Sequence, residues 1–464
     1  MTLGPRCRSL LARAALAVAI LLPLCFNPLA GTPFEPYKVA VFGAATLAMA
    51  AVRAACWLRH RLRGGRAPAG EVTHPFRNPL LGPCLGYVAA LLLATLVSVD
   101  PRLGLWGRRA APHGLATSVA QVVFFLLAAE ALADAGQVAR VGPAIVVGTV
   151  PVALYGVVQQ AGLDPIPWRL SPVWRPFSTM GSSLFLGAYL AMALPFALAG
   201  LARASAPADR LRHSAVLALQ ALTLVLTRAR SGWIGGLAGT LLFLYYLRRH
   251  GRLRTARPVV GAVALAGGLA LLWMMLAVPD APLAALSRAR EGVGSFLSAL
   301  RLASIPDRLA IWGGTIAIMP GHWLLGYGPD TYASVFPGRC PPAFANRLAP
   351  GAALFDPHNL LLNHLFSAGL VGLGALLMML AAAGRLAAAA LGRAPEGEAG
   401  AIPAAAACSV LAYLVYLQLN PDAVTLAALC ALDLAVLVGC AGPAAAQTPR
   451  RKRARSPKSV RGPN

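Results

Sequence analysis

Charge is scarce in this chain, and negative charge scarcer still. Charged residues make up 12% of 464, with 16 Asp and Glu against 41 Lys and Arg. A soluble globular chain carries roughly 25% charged residues, so a surface facing water on all sides is excluded. No internal repeat is visible, nor the matched broken helices of inverted-repeat transporters. A disulfide framework is missing too: Cys7, Cys25, Cys56, Cys84, Cys408, Cys430 and Cys440 lie in or beside apolar runs, and Cys340 stands apart. They read as small hydrophobes rather than disulfides or metal ligands.

What is present is apolar surface, 58% of residues with a mean hydropathy of +0.65. A spanning helix needs roughly 20 mostly apolar residues, and such runs fall at 10–29, 37–57, 79–98, 114–134, 141–161, 181–202, 212–227, 231–247, 257–277, 359–383, 400–419 and 424–441. The expected fold is therefore an all-α polytopic bundle of about twelve helices, with a large extracytoplasmic loop between the ninth and tenth. Runs 212–227 and 231–247 are short and separated only by Arg228, Ala229 and Arg230, which predicts a tight re-entry turn. In units, residues 1–277 hold nine helices, 278–357 the outer loop, 358–441 three more helices, and 442–464 a basic disordered cytoplasmic tail.

The net charge of +25 resembles a nucleic-acid signal until its position is considered. Basic clusters fall in alternate connections: Arg59, Arg61, Arg63 and Arg66; Arg203, Arg210 and Arg212; Arg248, Arg249, Arg252, Arg254 and Arg257; Arg385 and Arg393. This is the positive-inside pattern, which predicts an inner-membrane protein with both termini cytoplasmic. The tail residues Arg451, Lys452, Arg453, Arg455 and Lys458 suit anionic head groups, so membrane lipids, not nucleic acid, are the expected contacts. Arg6 and Arg8 before an apolar run imitate a signal peptide, but the short connection at 28–36 favours a retained first helix.

Within the long segment, 305–319 reads as an amphipathic helix, with Leu309, Trp312, Ile316 and Met319 on one face and Arg308 on another. Pro320, Gly321, Gly326, Gly328 and Pro329 then force turns. Asp356, Pro357 and His358 read as an N-cap followed by a first turn, so helix ten should start there. In that position the helix dipole would keep His358 neutral and able to accept a proton. Three outer elements then converge: residues 175–183, the Arg228/Arg230 turn, and 308–358. Bland readings stand beside these. Arg230 also suits an interface anchor, Arg308 a solvated helix face, and a lone His a structural role.

Several motifs together resemble the O-antigen ligase and O-antigen polymerase group of membrane glycosyltransferases. They are YGVVQQAGLD at 155–164, RPFSTMG at 175–181 with GAYL at 187–190, TRARSG at 227–232, Asp307 and Arg308 with Trp312, LLGYG at 324–328, DPHN at 356–359 and GLVG at 369–372. The likeness covers most of 100–380, and order and placement make the set more specific than any member. It implies metal-independent transfer, with no cofactor, from a polyprenyl diphosphate-linked glycan donor to an acceptor hydroxyl, with lipid A-core favoured. Arg230 and Arg308 would grip the diphosphate and His358 would act on the acceptor hydroxyl. Arg175, Arg228, Asp356 and Asn359 would bind substrate, and the choice between Arg228 and Arg230 stays open. Where many family members carry Asn, this chain has Ser182 and Ser183.

Polymerase and protein O-oligosaccharyltransferase share the donor chemistry and differ only in acceptor. From another class, a secondary transporter would place ionisable groups near the midplane, where Asp433 is the clear instance here. A scaffold without catalysis would use the arginines for loop solvation alone.

Overall fold

Apolar runs bounded by Pro, Gly and charge become helices. The computed structural model describes residues 4–62, 78–168, 175–251, 304–346, 354–394, 396 and 399–441. Among the described residues the regular elements are all helical, apart from one isolated bridge between Arg108 and Ala111. In chain order these are α1 Pro5–Leu21, α2 Glu35–Leu62, α3 Leu81–Leu96, α4 Pro101–Trp106, α5 Leu115–Ala131, α6 Ala135–Gln160, α7 Ser183–Arg203, α8 Pro207–Leu226 and α9 Arg230–Arg249. After them come α10 Ser304–Ala317, α11 Tyr332–Arg339, α12 Pro342–Ala345, α13 Leu360–Gly392, α14 Ile402–Leu417 and α15 Val424–Ala441.

Every expected span except 257–277 coincides with a helix, within several residues at each end. That run, the tail 442–464, and parts 278–303 and 347–353 of the long segment lie outside the described residues. Six of the helices are long and apolar enough to cross a membrane: α1 with the following 3-10 turn, α2, α6, α7, α13 and α15. Shorter apolar helices are α3, α5 and α14. The pair α8 and α9 forms on either side of the expected turn but does not meet the same measure of length and hydropathy.

Helix α7 is the centre of the bundle, buried almost continuously from Leu186 to Ala199. Its neighbours approach closely because α9 presents small residues. A Cβ at Gly232 would lie 2.9 Å from the backbone of Gly187, and at Gly235 or Gly239 within 2.6 or 2.8 Å of the carbonyls of Ala412 and Cys408. Without hydrophobic drive between helices in lipid, such backbone contact supplies the packing energy. The outer surface is the reverse: Leu47, Leu96, Leu237 and Met378 are largely exposed, as a lipid-facing shell requires.

Helix α13 is broken at Gly369, whose φ of 61° and ψ of −160° interrupt the helical ladder. Backbone groups freed inside a membrane protein need new partners, and residues 323–328 supply them. Tyr327 and Gly328 donate N–H groups to the carbonyls of Phe366 and Ser367 at 2.8 and 3.1 Å, while Leu370 and Val371 donate to Trp323 and Leu324 at 2.7 and 3.3 Å. The LLGYG and GLVG motifs are thus two halves of one joint. Both glycines are required by contact: a Cβ at Gly326 or Gly369 would stand 2.3 or 2.2 Å from a carbonyl oxygen. The joint fixes 327–332 against the start of α13.

Two local expectations are corrected. The N-cap of α13 is Asn359, not Asp356: its side-chain oxygen accepts from Leu362 N at 3.0 Å. Asp356 Oδ1 instead accepts the backbone N–H of His358 at 2.8 Å, closing a turn around Pro357, so His358 lies before the helix and outside its first turn. The apolar face of α10 is also divided. Leu309 and Ile316 are about half exposed, Met319 is buried, and Trp312 donates Nε1–H to the carbonyl of Pro357 at 3.0 Å.

Candidate functional site

Connections between helices meet at one end of the bundle and enclose a cavity of about 510 Å³. Its walls come from 31–36, the outer part of α3, 108–121, the start of α7, 329–332, 355–367 and 417–422. Of the residues singled out from sequence, Asp356, His358 and Asn359 line it. His358 Nδ1 lies 2.8 Å from Asp356 Oδ1, close enough to pair when the ring is protonated, though not aligned as a hydrogen bond. Asn359 donates Nδ2–H to the carbonyl of Gln418 at 3.2 Å, tying α13 to the 418–422 turn.

The arginines stand beside this cavity rather than in its lining. Arg308 donates to the carbonyl of Leu419, the neighbour of the residue Asn359 holds. Arg175 donates Nε–H to the carbonyl of Thr227 at 3.3 Å, in the turn that carries Arg228, and Arg230 opens α9. Burial first, then the charge of Arg230, lowers the proton affinity of both Arg175 and Arg308; burial and then Arg175 do the same for Arg228. Asp356 pulls Arg308 the other way. Guanidinium stays protonated in proteins, so four cations held together across three chain segments repel one another and favour an anion among them.

The other motifs hold this group in place. Asp164 accepts from Tyr155, Gln159, Trp168 and Ile166 at 2.8 to 3.1 Å, and although burial works against it, those bonds keep its carboxyl below the usual range. The same Gln159 accepts from the N–H groups of Phe177 and Ser178 at 3.1 and 2.6 Å, so the 155–164 motif anchors the segment that carries Arg175. Ser182 caps α7 through Leu184 N at 3.2 Å, which gives the serine a structural role where the family often has Asn. Buried Asp433 accepts from Ser409 Oγ at 2.6 Å on the neighbouring helix.

Sequence reasoning missed a second set. Asp330 receives Arg108 twice, from its backbone N–H at 2.6 Å and its Nε–H at 2.7 Å, with His113 N at 3.4 Å, while Phe355 covers the guanidinium at 4.5 Å. Glu35, Tyr87, Gln121, Asn363, His364 and Asp422 line the same cavity. One signal could have found them: in an acid-poor chain, Glu35, Asp330, Asp356 and Asp422 all fall in connections of one side. Strain marks the site too. The described non-glycine residues with positive φ are Ser178, Arg228, Asp330 and His358, at 50° to 57°, a conformation that persists only where surroundings impose it. Among the described residues no three His, Cys, Asp or Glu side chains gather as metal ligands would.

No curated protein matches the chain. Residues 215–377 match the model of the O-antigen ligase family, a stretch that contains Arg228, Arg230, Arg308, Asp356, His358 and Asn359.

Proposed function

We propose that this protein moves a glycan from a polyprenyl diphosphate carrier to an acceptor hydroxyl, as an O-antigen ligase with lipid A-core the favoured acceptor. The observation that supports it most is the convergence of Arg175, Arg228, Arg230 and Arg308 beside a cavity that presents His358 and Asp356. In the reaction the acceptor oxygen bonds to the anomeric carbon. The bond from that carbon to the diphosphate oxygen breaks, and its electron pair leaves with the diphosphate. The hydroxyl proton passes to His358 Nε2 and then to water.

Each group has a physical task. Arg230 and Arg308 bind the diphosphate, where negative charge grows as the bond breaks, with charge-assisted and bidentate bonds. Arg175 and Arg228 add positive potential to the same flank. Asp356, 2.8 Å from Nδ1, sets negative charge beside the imidazole and stabilises it once it has taken the proton. Asn359 fixes the helix start that follows. In this scheme neither a metal nor a cofactor is needed, and chelator leaves transfer unchanged. In this reading both termini face the cytoplasm and the cavity opens at the outer face of the inner membrane, an orientation that the basic connections support. Polymerase and protein-acceptor readings use the same donor flank. A transporter reading would turn on Asp433, which is buried and accepts from Ser409 through one of its two oxygens.

The test is the surface glycan profile of cells lacking the protein, complemented with wild type or His358→Ala at equal membrane levels. Wild type restores the ligated glycan and the variant does not. Full restoration by the variant would remove His358 from the chemistry.

A further inference from the structure

Behind the cavity, the peptide unit between Pro357 and His358 is held at both of its polar ends. Its carbonyl accepts Nε1–H of Trp312 at 3.0 Å, and its N–H donates to Asp356 Oδ1 at 2.8 Å. The two groups of a planar trans peptide point in opposite directions, so these bonds grip the plane from either side and fix its rotation. That rotation sets the φ of His358, which at 53° lies in the left-handed region. A non-glycine residue stays there only where its surroundings over-determine it. Asp356 belongs to the turn itself, whereas Trp312 restrains the peptide from another helix.

The same helix carries Arg308. Arg308 and Trp312 are four residues apart in α10, so their side chains leave one face of the helix, one above the other. Arg308 donates to the carbonyl of Leu419, and Asn359, on the far side of His358, donates to the carbonyl of Gln418. The bonds close a ring: along α10 from Arg308 to Trp312, across to Pro357, through His358 to Asn359, across to Gln418, and from Leu419 back to Arg308. His358 therefore stands between two pinned neighbours. Helix α10 is itself closely seated: Thr315 bonds to Tyr332 at 2.8 Å, and a Cβ added to Gly313 or Gly314 would stand 2.5 Å from Phe344 or 2.9 Å from Cys340.

We propose that Trp312 is a positioning residue for the transfer reaction, its indole N–H fixing the imidazole of His358 relative to Arg308 so that base and diphosphate grip meet one donor together. The inference rests on the transferase reading and adds to it a residue that acts through His358. Displacing a reacting group costs rate more than binding, because the contacts that hold the diphosphate remain while the attack geometry is lost.

Two replacements separate the hydrogen bond from the ring. Trp312→Phe keeps an aromatic ring and loses the donor, whereas Trp312→His keeps a ring nitrogen able to donate from the place of Nε1 and loses the outer ring. Full-length protein in proteoliposomes is assayed for transfer with the lipid-linked donor varied, and hydrogen exchange across residues 354–362 is read by mass spectrometry on the same samples. In Trp312→Phe turnover falls by roughly 10- to 100-fold with the donor KM unchanged, and exchange in that stretch accelerates. Trp312→His recovers part of both. Wild-type turnover or wild-type exchange in Trp312→Phe overturns the proposal. Equal losses in both variants with a lowered unfolding temperature also overturn it, since Trp312 is then a packing residue. A wild-type protein that transfers nothing, but whose exchange near His358 still follows the donor at position 312, would instead remove the transferase reading and spare the restraint on the turn.

Discussion

The arginine flank and the polar wall are built differently although they border one cavity. The flank is made of permanent cations on three separate segments, with Arg175 and Arg308 tied to the backbone carbonyls of Thr227 and Leu419. The wall formed by Glu35, Tyr87, Gln121, Asn363 and Asp422 takes Tyr87, Gln121 and Asn363 from within α3, α5 and α13, Glu35 from the start of α2 and Asp422 from the turn before α15. Arg228, Arg230 and Arg308 lie inside the stretch that matches the family and Arg175 outside it, whereas Asn363 lies inside and Glu35, Tyr87, Gln121 and Asp422 outside. The difference teaches that cations and carboxylates from distant parts of the chain are gathered around one cavity.

The largest expected effect comes at the point where the two regions meet. His358→Ala in reconstituted vesicles is predicted to lower the turnover rate by roughly 10²- to 10⁴-fold, the usual contribution of a positioned general base. Apparent affinities for donor and acceptor should change far less, and a loss confined to affinity would blur the comparison by moving His358 into binding.

A smaller effect is expected where the wall is braced. Asp330→Asn loses the charge-assisted bonds to Arg108 and should lower stability by about 1–3 kcal/mol, read from thermal unfolding in detergent. Removing both partners together, as Arg108→Met with Asp330→Leu, should cost less than Asp330→Asn alone, because no charge is left buried without a partner. Equal losses in single and double variants would mean that the pair does not brace the cavity.

The smallest effect is electrostatic. Burial pushes the Asp422 carboxyl up from 3.8 to about 6. A raised carboxyl favours the protonated form in the folded protein, so its contribution to stability is complete below about pH 4 and is lost as pH rises through about 6. The stability of wild type relative to Asp422→Asn should therefore decline across that window in thermal unfolding. A difference that is flat with pH would place Asp422 in a wetter setting than the wall requires.

Much of this was legible in the chain. Apolar runs gave the helices, and the interval of three residues at 228–230 gave the turn between α8 and α9, because both signals are local. Arg175, Arg228, Arg230, Arg308 and His358 are named by the motifs that resemble the family, each a short local string. The start of α13 was misplaced because Asp356 and Asn359 are both good caps, and only geometry shows that Asp356 closes the turn before Pro357 while Asn359 caps the helix. The wall was illegible for another reason: Glu35 and Asp422 are 387 positions apart, and nothing local says that α2 and α15 begin side by side. The bond from Val424 N to Glu35 shows it.

The most direct measurement of the central claim is transfer in proteoliposomes, with the polyprenyl diphosphate-linked glycan varied at fixed acceptor, for wild type, Arg308→Ala and Arg308→Lys. At donor levels below saturation the account predicts a fall of roughly 10²- to 10³-fold for alanine. Lysine should recover only part of that loss, because an ammonium cannot reproduce the planar fork. Wild-type rates in both variants at low donor would contradict a diphosphate grip on the arginine flank.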